Sequence, residues 1–226
     1  MADRELNPAG LYDDEYFAKR QLNDPKRLRS FDHEKALLQR YVDSTGVVCD
    51  VGCSTGEFLE YINWQGPRYG MEVNECARAV AQRHRVGFEK SILTEERFFD
   101  AVIFRGTIQH LPQPFLYIER AFTALKPGGV AAFLATPNAN CLVYKLFNDL
   151  PALDPRYNFY VPSDLTLAAN LRNVGFQVVA LEYPYLASPY ASPVYDHLRL
   201  LVRLVSRRKL RFAFWRNMMN LIAIKP

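Results

Sequence analysis

The 226-residue sequence has few cysteines and no long apolar run. Its four cysteines include no CxxC pair and no histidine at metal-ligand spacing, which argues against a zinc site and against a disulfide framework. Apolar stretches end well before the ~20 residues that a membrane-spanning helix needs, and the first ten residues are polar where a signal peptide would be apolar. We therefore expect a soluble, cytoplasmic protein without a metal site.

Acidic residues are missing from the C-terminal end of the sequence. From His197 onward there are eight Lys/Arg and no Asp or Glu, although the whole chain carries 28 basic and 24 acidic residues. This asymmetry argues against a protein that binds nucleic acid with its whole surface, and it predicts a local anionic partner near the C-terminal segment.

The pattern at 193–208 predicts a basic amphipathic helix in that segment. Arg199, Arg203 and Arg207 form one row along it. The opposite side is apolar, with Val194, Leu198, Leu201, Val202 and Val205. The arginine row is either a solvated face or a surface for an anionic acceptor or a membrane.

Strand and helix patterns alternate along most of the chain. Apolar strand patterns occur at 47–51, 69–72, 86–90, 101–104, 130–135, 176–183 and 217–224. Helical patterns occur at 33–43, 54–62, 75–84, 114–125 and 164–173. Repeated βα units imply a parallel sheet covered by helices on both faces, with the ligand at the carboxyl ends of the strands.

We predict one α/β domain over residues 1–226. Within it, 1–45 would form an N-terminal helical cap, 46–136 the cofactor-binding core, and 137–226 the substrate side and the C-terminal strands. The stretch 137–162 is rich in proline and aromatic residues and is too long for an ordinary connection, which makes it a candidate lid or substrate wall.

The segment DVGCSTG at 50–56, followed by Glu72 at the end of the next strand, is the most specific motif. Gly52 permits a tight turn, Gly56 allows close helix packing, and the helix start offers backbone N–H groups to an anion. Glu72 is placed to accept hydrogen bonds from both ribose hydroxyls of a nucleoside. The motif therefore predicts a cofactor that contains a nucleoside.

The middle of this loop distinguishes between cofactors. Cys53 and Ser54 stand where a dinucleotide loop has a further glycine, so a pyrophosphate would be crowded, and no Gly-Lys-Ser/Thr follows as in a Walker phosphate loop. S-adenosylmethionine has no phosphate. Its carboxylate suits the amides at the helix start, and its ammonium group suits carbonyl oxygens and an acid such as Asp50. The loop favours this cofactor over NAD.

Five segments resemble, in order, the motifs of class I, Rossmann-like S-adenosylmethionine-dependent methyltransferases: DVGCSTGEFLE, GMEVN, FFDAVIFRGTIQHLPQP, ALKPGGVAAFLATPN and LRNVGF. They are most similar to the small-molecule branch that includes ubiquinone-biosynthesis-like and sugar methyltransferases. The resemblance implies a three-layer αβα sandwich around a seven-stranded, mostly parallel sheet whose last strand is antiparallel. It also implies S-adenosylhomocysteine as the second product.

The resemblance further implies where each part of the cofactor would lie. The methionine end would contact the loop after the first strand, and the ribose would contact Glu72. The methyl group would lie near the floor formed after the fourth strand. Ser91 stands where many relatives hold an Asp against the adenine amine. The full predicted set is Asp50, Gly52, Cys53, Ser54, Gly56, Glu72, Val73, Ser91, Ile92, Arg105 and Gly106. Tyr12, Tyr16 and Arg20 resemble a segment that closes over the cofactor.

The sequence assigns no catalytic base. His110 belongs to a motif in which the histidine usually packs under the site, and Tyr157, Asp154 and His197 are weaker candidates. Methyl transfer from a sulfonium depends strongly on alignment and desolvation, and an alcohol needs a base only to lose its proton.

The predicted function is methylation of a small molecule or glycan, at an oxygen of a sugar or nucleotide sugar. Two alternatives stay open. One is methylation of a quinone-like phenol or an amine, which would favour an apolar acceptor pocket. The other is a non-catalytic Rossmann-like partner subunit that retains the fold. No nucleic acid is expected as a partner.

Overall fold

Seven strands form one mixed sheet in the computed structural model, which describes residues 24–151, 153–154, 156–206 and 210–226. The strands are β1 (Val48–Val51), β2 (Arg68–Met71), β3 (Val86–Gly87), β4 (Phe99–Arg105), β5 (Leu125–Pro137), β6 (Gln177–Glu182) and β7 (Met218–Ile224). Their order across the sheet is β3-β2-β1-β4-β5-β7-β6. Neighbouring strands are parallel except where β7 pairs antiparallel with β5 and β6, which confirms the predicted sheet.

Helices cover the sheet and form the longer connections. They are α1 (Pro25–Leu38), α2 (Glu57–Tyr61), α3 (Glu75–Arg83), α4 (Pro114–Ala124), α5 (Leu142–Phe147), α6 (Asp164–Val174) and α7 (Pro193–Ser206). A short 3-10 helix, Ile108–His110, follows β4. The predicted start of α6 is confirmed by a capping box at Ser163, and its predicted end by Gly175 in the left-handed conformation.

Two helices begin elsewhere than the sequence pattern predicted. The helix predicted at 33–43 begins at Pro25, because the Asp24 side chain caps its first turn by accepting a hydrogen bond from the Lys26 amide, and it ends at Leu38. The helix predicted from position 54 begins at Glu57, because Gly56 is the left-handed N-cap that closes the preceding turn. Tyr12, Tyr16 and Arg20 lie outside the described residues.

Side chains that alternate along the strands build a core on each face of the sheet. Val102 and Phe104 of β4 join α4 and α6 in one cluster, whereas Ala101 and Ile103 join α1, α2 and α3 in the other. The two clusters confirm the three-layer αβα arrangement. The carboxyl ends of β1, β2, β3 and β4 all reach the same edge of the sheet.

The predicted basic row on α7 is wrong for one of its members. Arg203 is buried: its guanidinium donates to Asp149 at 3.2 Å and to the Leu210 carbonyl at 2.7 Å, and it lies over the Phe147 ring. Arg199 is exposed, and Arg207 lies outside the described residues. Arg203 points inward because its partner Asp149 lies outside the helix, where the helical pattern gives no information about it.

Candidate cofactor-binding site

The loop after β1 is held at the ends of two neighbouring strands. The backbone N–H groups of Gly52 and Cys53 both donate to the Met71 carbonyl, at 2.7 and 3.1 Å. Gly52 has φ +76°, and a Cβ at this position would lie 2.5 Å from the Thr107 methyl group. Both the backbone conformation and the space therefore require glycine at position 52.

Glu72 joins this loop to the segment after β2. One carboxylate oxygen accepts from the Ser54 amide at 3.0 Å, and the other accepts from the Val73 and Asn74 amides at 2.8 and 2.9 Å. Three backbone donors thus fix the orientation of the carboxylate. The acid that the sequence assigned to the ribose is preorganised at the carboxyl edge of the sheet.

A cavity of about 370 Å³ opens at this edge, within the usual size range of small-molecule sites. Its lining includes seven residues of the predicted set: Gly52, Ser54, Glu72, Val73, Ser91, Arg105 and Gly106. It also includes residues that the sequence reasoning did not select, among them Arg78, Phe88, Thr107, Leu111 and Tyr117. Arg78 and Tyr117 come from the helices α3 and α4, and Phe88, Thr107 and Leu111 from the segments after β3 and β4, where the motifs assign no contact to them.

The other predicted residues support the cavity from below. Asp50 is buried in β1, Gly56 packs against Ala81 of α3, and Ile92 is fully buried in the core. Cys53 is also buried, and desolvation together with the Asp50 carboxylate raises the pKa of its thiol. The thiol stays protonated at neutral pH and is not a reactive nucleophile.

Arg105 at the cavity floor is tied to α1. Its guanidinium donates to both carboxylate oxygens of Glu34, at 2.6 and 3.3 Å, and it lies over the Phe31 ring at 4.3 Å. Glu34 is only 1% exposed and accepts a further hydrogen bond from the Ser30 hydroxyl. The positive charge beside the cavity is therefore paired, and α1 forms part of the support for the floor.

The predicted adenine end is less constrained than the loop. The Ser91 hydroxyl accepts from the Leu93 amide at 3.2 Å and lies 3.3 Å from the Thr94 hydroxyl, so it closes a turn after β3. The Arg78 guanidinium lies over the Phe88 ring at 4.6 Å. An adenine contact by Ser91 stays a prediction.

Four residues were candidate bases: His110, Asp154, Tyr157 and His197. Within the described part of the chain, His110 is the one that lines the cavity. Its Nδ1 lies 2.9 Å from the Tyr157 carbonyl, which can only accept, so Nδ1 carries the proton and Nε2 faces the Gln109 amide. Burial lowers the pKa of His110, and the ring is neutral at pH 7. Hydrogen bonds from Arg156 lower the pKa of Asp154 to about 2, which makes this carboxylate a weak base.

Two shielded side-chain amides hold the backbone at Gly106 and in the neighbouring strand β5. Gln109 donates to the Gly106 carbonyl at 2.8 Å, and Asn220 accepts from the Ala135 amide at 2.8 Å. In five side-chain amides, one nitrogen or oxygen atom is shielded from solvent and has no hydrogen-bond partner among the described residues. We call these residues the buried amides: Gln109, Asn138, Asn158, Asn217 and Asn220. Gln109 and Asn138 lie within the quoted motif segments and the other three lie outside them, but no pattern marks any of the five as a site residue, so the sequence reasoning missed them.

The comparisons with known proteins agree with this geometry. A family model described as a methyltransferase domain matches residues 20–181. The ubiquinone biosynthesis O-methyltransferase of Pseudomonas fluorescens is 33% identical over 109 residues, which cover 43% of this chain and 47% of the relative. The enzyme of the same name from Azoarcus is 30% identical over 155 residues, 59% of this chain and 65% of the relative. The chain thus matches about half to two thirds of the length of these relatives.

Solved structures share the fold at low sequence identity. A methyltransferase from Archaeoglobus fulgidus, described as S-adenosylmethionine-dependent, has a TM-score of 0.62 at 21% identity and covers 94% of this chain and 100% of its own. Phosphoethanolamine N-methyltransferase 2 of Haemonchus contortus, in complex with S-adenosyl-L-methionine, has a TM-score of 0.66 at 17% identity, over 98% of this chain and 60% of its own. The chain therefore belongs to the methyltransferase-domain family and has the fold of class I S-adenosylmethionine-dependent methyltransferases.

Proposed function

We propose that this chain transfers the methyl group of S-adenosylmethionine to a hydroxyl group of a small polar molecule, with a sugar or nucleotide sugar as the first candidate. One observation carries the proposal. One cavity joins Glu72 and the glycine loop to Gly106, Thr107 and His110, so the cofactor site continues into a space with polar side chains.

The residues present fit the proposed cofactor. The Glu72 carboxylate is fixed by three backbone N–H groups and can accept hydrogen bonds from ribose hydroxyls. Gly52 admits no side chain, and its contact with Thr107 keeps the loop close to the end of β4. The cofactor supplies a methyl group that is already activated on a sulfonium, so the protein has to bind, align and exclude water.

The acceptor would reach the cavity from the Gly106 end. Thr107 and His110 line this end of the cavity, and their polar side chains can form hydrogen bonds with an acceptor that carries hydroxyl groups. His110 holds the connection 137–162 against this end through the Tyr157 carbonyl. This polar lining supports the sugar or nucleotide sugar.

A phenol is the second candidate acceptor, and the curated relatives support it. They are named ubiquinone biosynthesis O-methyltransferases, and the chain is 29–33% identical to them over its matched part. Leu111, Pro112 and Tyr117 also line the cavity and would suit an aromatic ring. An amine acceptor and the non-catalytic subunit remain outcomes of the test.

The first experiment is calorimetric titration with S-adenosylmethionine, S-adenosylhomocysteine and NAD. We expect the first two to bind and NAD not to bind. Glu72→Ala should weaken binding at least ~100-fold, because two hydrogen bonds to a carboxylate contribute roughly 1.5–3 kcal/mol each. Glu75→Ala is the matched control, since it removes the same charge from an exposed position in the first turn of α3.

Equal affinity in the two variants, or tight binding of NAD, would contradict the proposed site. A panel of nucleotide sugars, glycans, catechols and amines with labelled cofactor then identifies the acceptor class. Methylation of the catechols alone would favour the second candidate. Cofactor binding without methylation of any acceptor would favour the non-catalytic subunit.

A further inference from the structure

The side of α7 that faces solvent is apolar. The apolar face of α7 is defined by five residues that the structure leaves 42–87% exposed: Val194, Leu198, Leu201, Val202 and Val205. Asp196 and Arg203, on the opposite side, are buried. A surface helix of a soluble domain usually turns its apolar side inward, so the orientation of α7 is reversed.

Polar contacts fix this orientation. The Asp196 carboxylate accepts from the Tyr185 hydroxyl at 2.9 Å and from the Ser192 amide at 2.7 Å. Arg203 is held by Asp149 and by the ring of Phe147. Rotating the apolar face inward would break both sets of contacts and leave the charges of Asp196 and Arg203 without their present partners, which is strongly unfavourable for buried charges.

The surroundings of the apolar face are basic and aromatic. The side chains of Arg199 and Arg211 are 45% and 54% exposed, although they lie 3.7 and 3.5 Å from the carboxylates of Asp196 and Asp149. The sequence from His197 onward contains no acid. Tyr195 and Trp215, whose rings are amphipathic, are 62% and 53% exposed in the same part of the chain. Exposed aliphatic side chains flanked by arginine and aromatic residues are typical of helices that lie in the surface of an anionic membrane.

We propose that α7 is an interfacial helix that holds this protein against an anionic lipid surface. None of the helices in the described ranges has the length and apolar composition to cross a bilayer, so the contact is peripheral. A second copy of the chain is a poorer occupant, because a two-fold interface on this face would bring identical basic residues together. The proposal does not depend on the methyl acceptor.

The location of α7 gives the contact a direction. α7 follows β6 from its carboxyl end and precedes β7, so it belongs to the same edge of the sheet as the cavity. Protein bound through α7 would keep this edge near the lipid headgroups.

The test is sedimentation of the full chain with vesicles. We expect binding to vesicles of phosphatidylglycerol and phosphatidylcholine, little binding to phosphatidylcholine alone, and weaker binding as salt is raised. The double variant Leu198→Ser, Leu201→Ser should lower the partition coefficient at least ~10-fold, because it removes two aliphatic side chains from the interface.

The matched control is Leu116→Ser, Leu165→Ser, which makes the same change at two exposed leucines on α4 and α6. It should bind like the unaltered chain, and circular dichroism should show both variants folded. Absence of binding to anionic vesicles, or equal loss in the two variants, would overturn the proposal. A dimer that only the α7 variant dissociates, without vesicle binding, would assign the face to a second copy and also overturn it.

Discussion

At the scale of single residues, the site depends on one very close approach between two loops. Gly52 and Gly128 both have a left-handed backbone, with φ +76° and +77°, but their surroundings differ. A Cβ at position 52 would overlap Thr107, whereas a Cβ at position 128 would have no neighbour within 4 Å. Alanine substitutions at these two glycines therefore distinguish the free-energy cost of a left-handed backbone from the cost of the steric overlap with Thr107.

Gly128→Ala should lower the free energy of unfolding by about 1–2 kcal/mol, the cost of a left-handed alanine. Gly52→Ala should cost roughly 1–3 kcal/mol more, since overpacking adds to the same backbone cost. Urea denaturation measures both, and Thr107→Ala should recover part of the loss when combined with Gly52→Ala. An equal loss of unfolding free energy at positions 52 and 128 would show that the loop at Gly52 moves away from Thr107 without a free-energy cost.

The sequence predicted these loop residues well because their roles are local. Gly52 and Gly56 meet backbone requirements that are set within a few positions of the chain. Glu72 is identified by its place at the end of the next strand. Glu34 could not be predicted in this way, because its partner Arg105 is brought to it only when α1 packs on the sheet. The buried amides likewise acquire their surroundings only in the folded chain.

At the scale of secondary-structure elements, the Glu34–Arg105 pair connects α1 to the end of β4. The pair is largely shielded, with side chains 1% and 12% exposed. A buried charge that loses its partner is far more destabilising than an exposed one. The contact therefore supports the cavity floor and the attachment of α1 together.

Glu34→Ala should lower the free energy of unfolding by about 3–5 kcal/mol and weaken cofactor binding, because it leaves Arg105 unpaired beside the cavity. Adding Arg105→Ala should cost less than the two single changes together, with a coupling of at least about 1 kcal/mol. Glu182→Ala is the control: it removes a partly exposed carboxylate that contacts Arg40 and His33, and it should cost under about 1 kcal/mol. A purely additive double variant would argue against the pairing.

The sequence predicted the elements of the sheet more reliably than the orientation of α7. Buried strands such as β4 and β5 have apolar runs that can only lie inside, and α6 has its own start and stop signals at Ser163 and Gly175. The sequence of an amphipathic helix such as α7 identifies an apolar side and a polar side, but it does not determine which side packs against the protein. Asp149 and Tyr185, which lie outside the helix, decide that.

At the scale of the whole molecule, cofactor binding should stabilise the fold, because the proposed site joins four strand ends. S-adenosylhomocysteine at about 100 times its Kd should add roughly 2.7 kcal/mol to the free energy of unfolding. For a domain of this size, we expect Tm to rise by ~5–10 °C. Differential scanning fluorimetry measures the shift, and the Glu72→Ala variant at the same ligand concentration should show almost none. A rise of equal size in that variant would place the ligand elsewhere.

The class of fold could be predicted because the motifs follow one another in the order of the strands. The acceptor side could not be predicted to the same depth. Connections such as 137–162 and 183–192 have no periodic pattern. Contacts with distant parts of the chain hold them, as where the Phe159 amide donates to the Gln109 carbonyl at 2.9 Å. The division into cap, core and substrate side stays a prediction.

The position of β7 between β5 and the edge strand β6 has a consequence for how the protein is made. This strand lies between β5 and β6, and it pairs Val130 with Ile224 across a long stretch of chain. Until residues 218–224 leave the ribosome, the nascent chain exposes two apolar strand edges that nothing else fills. Synthesis should therefore be the period in which this protein is most prone to aggregate and most dependent on chaperones.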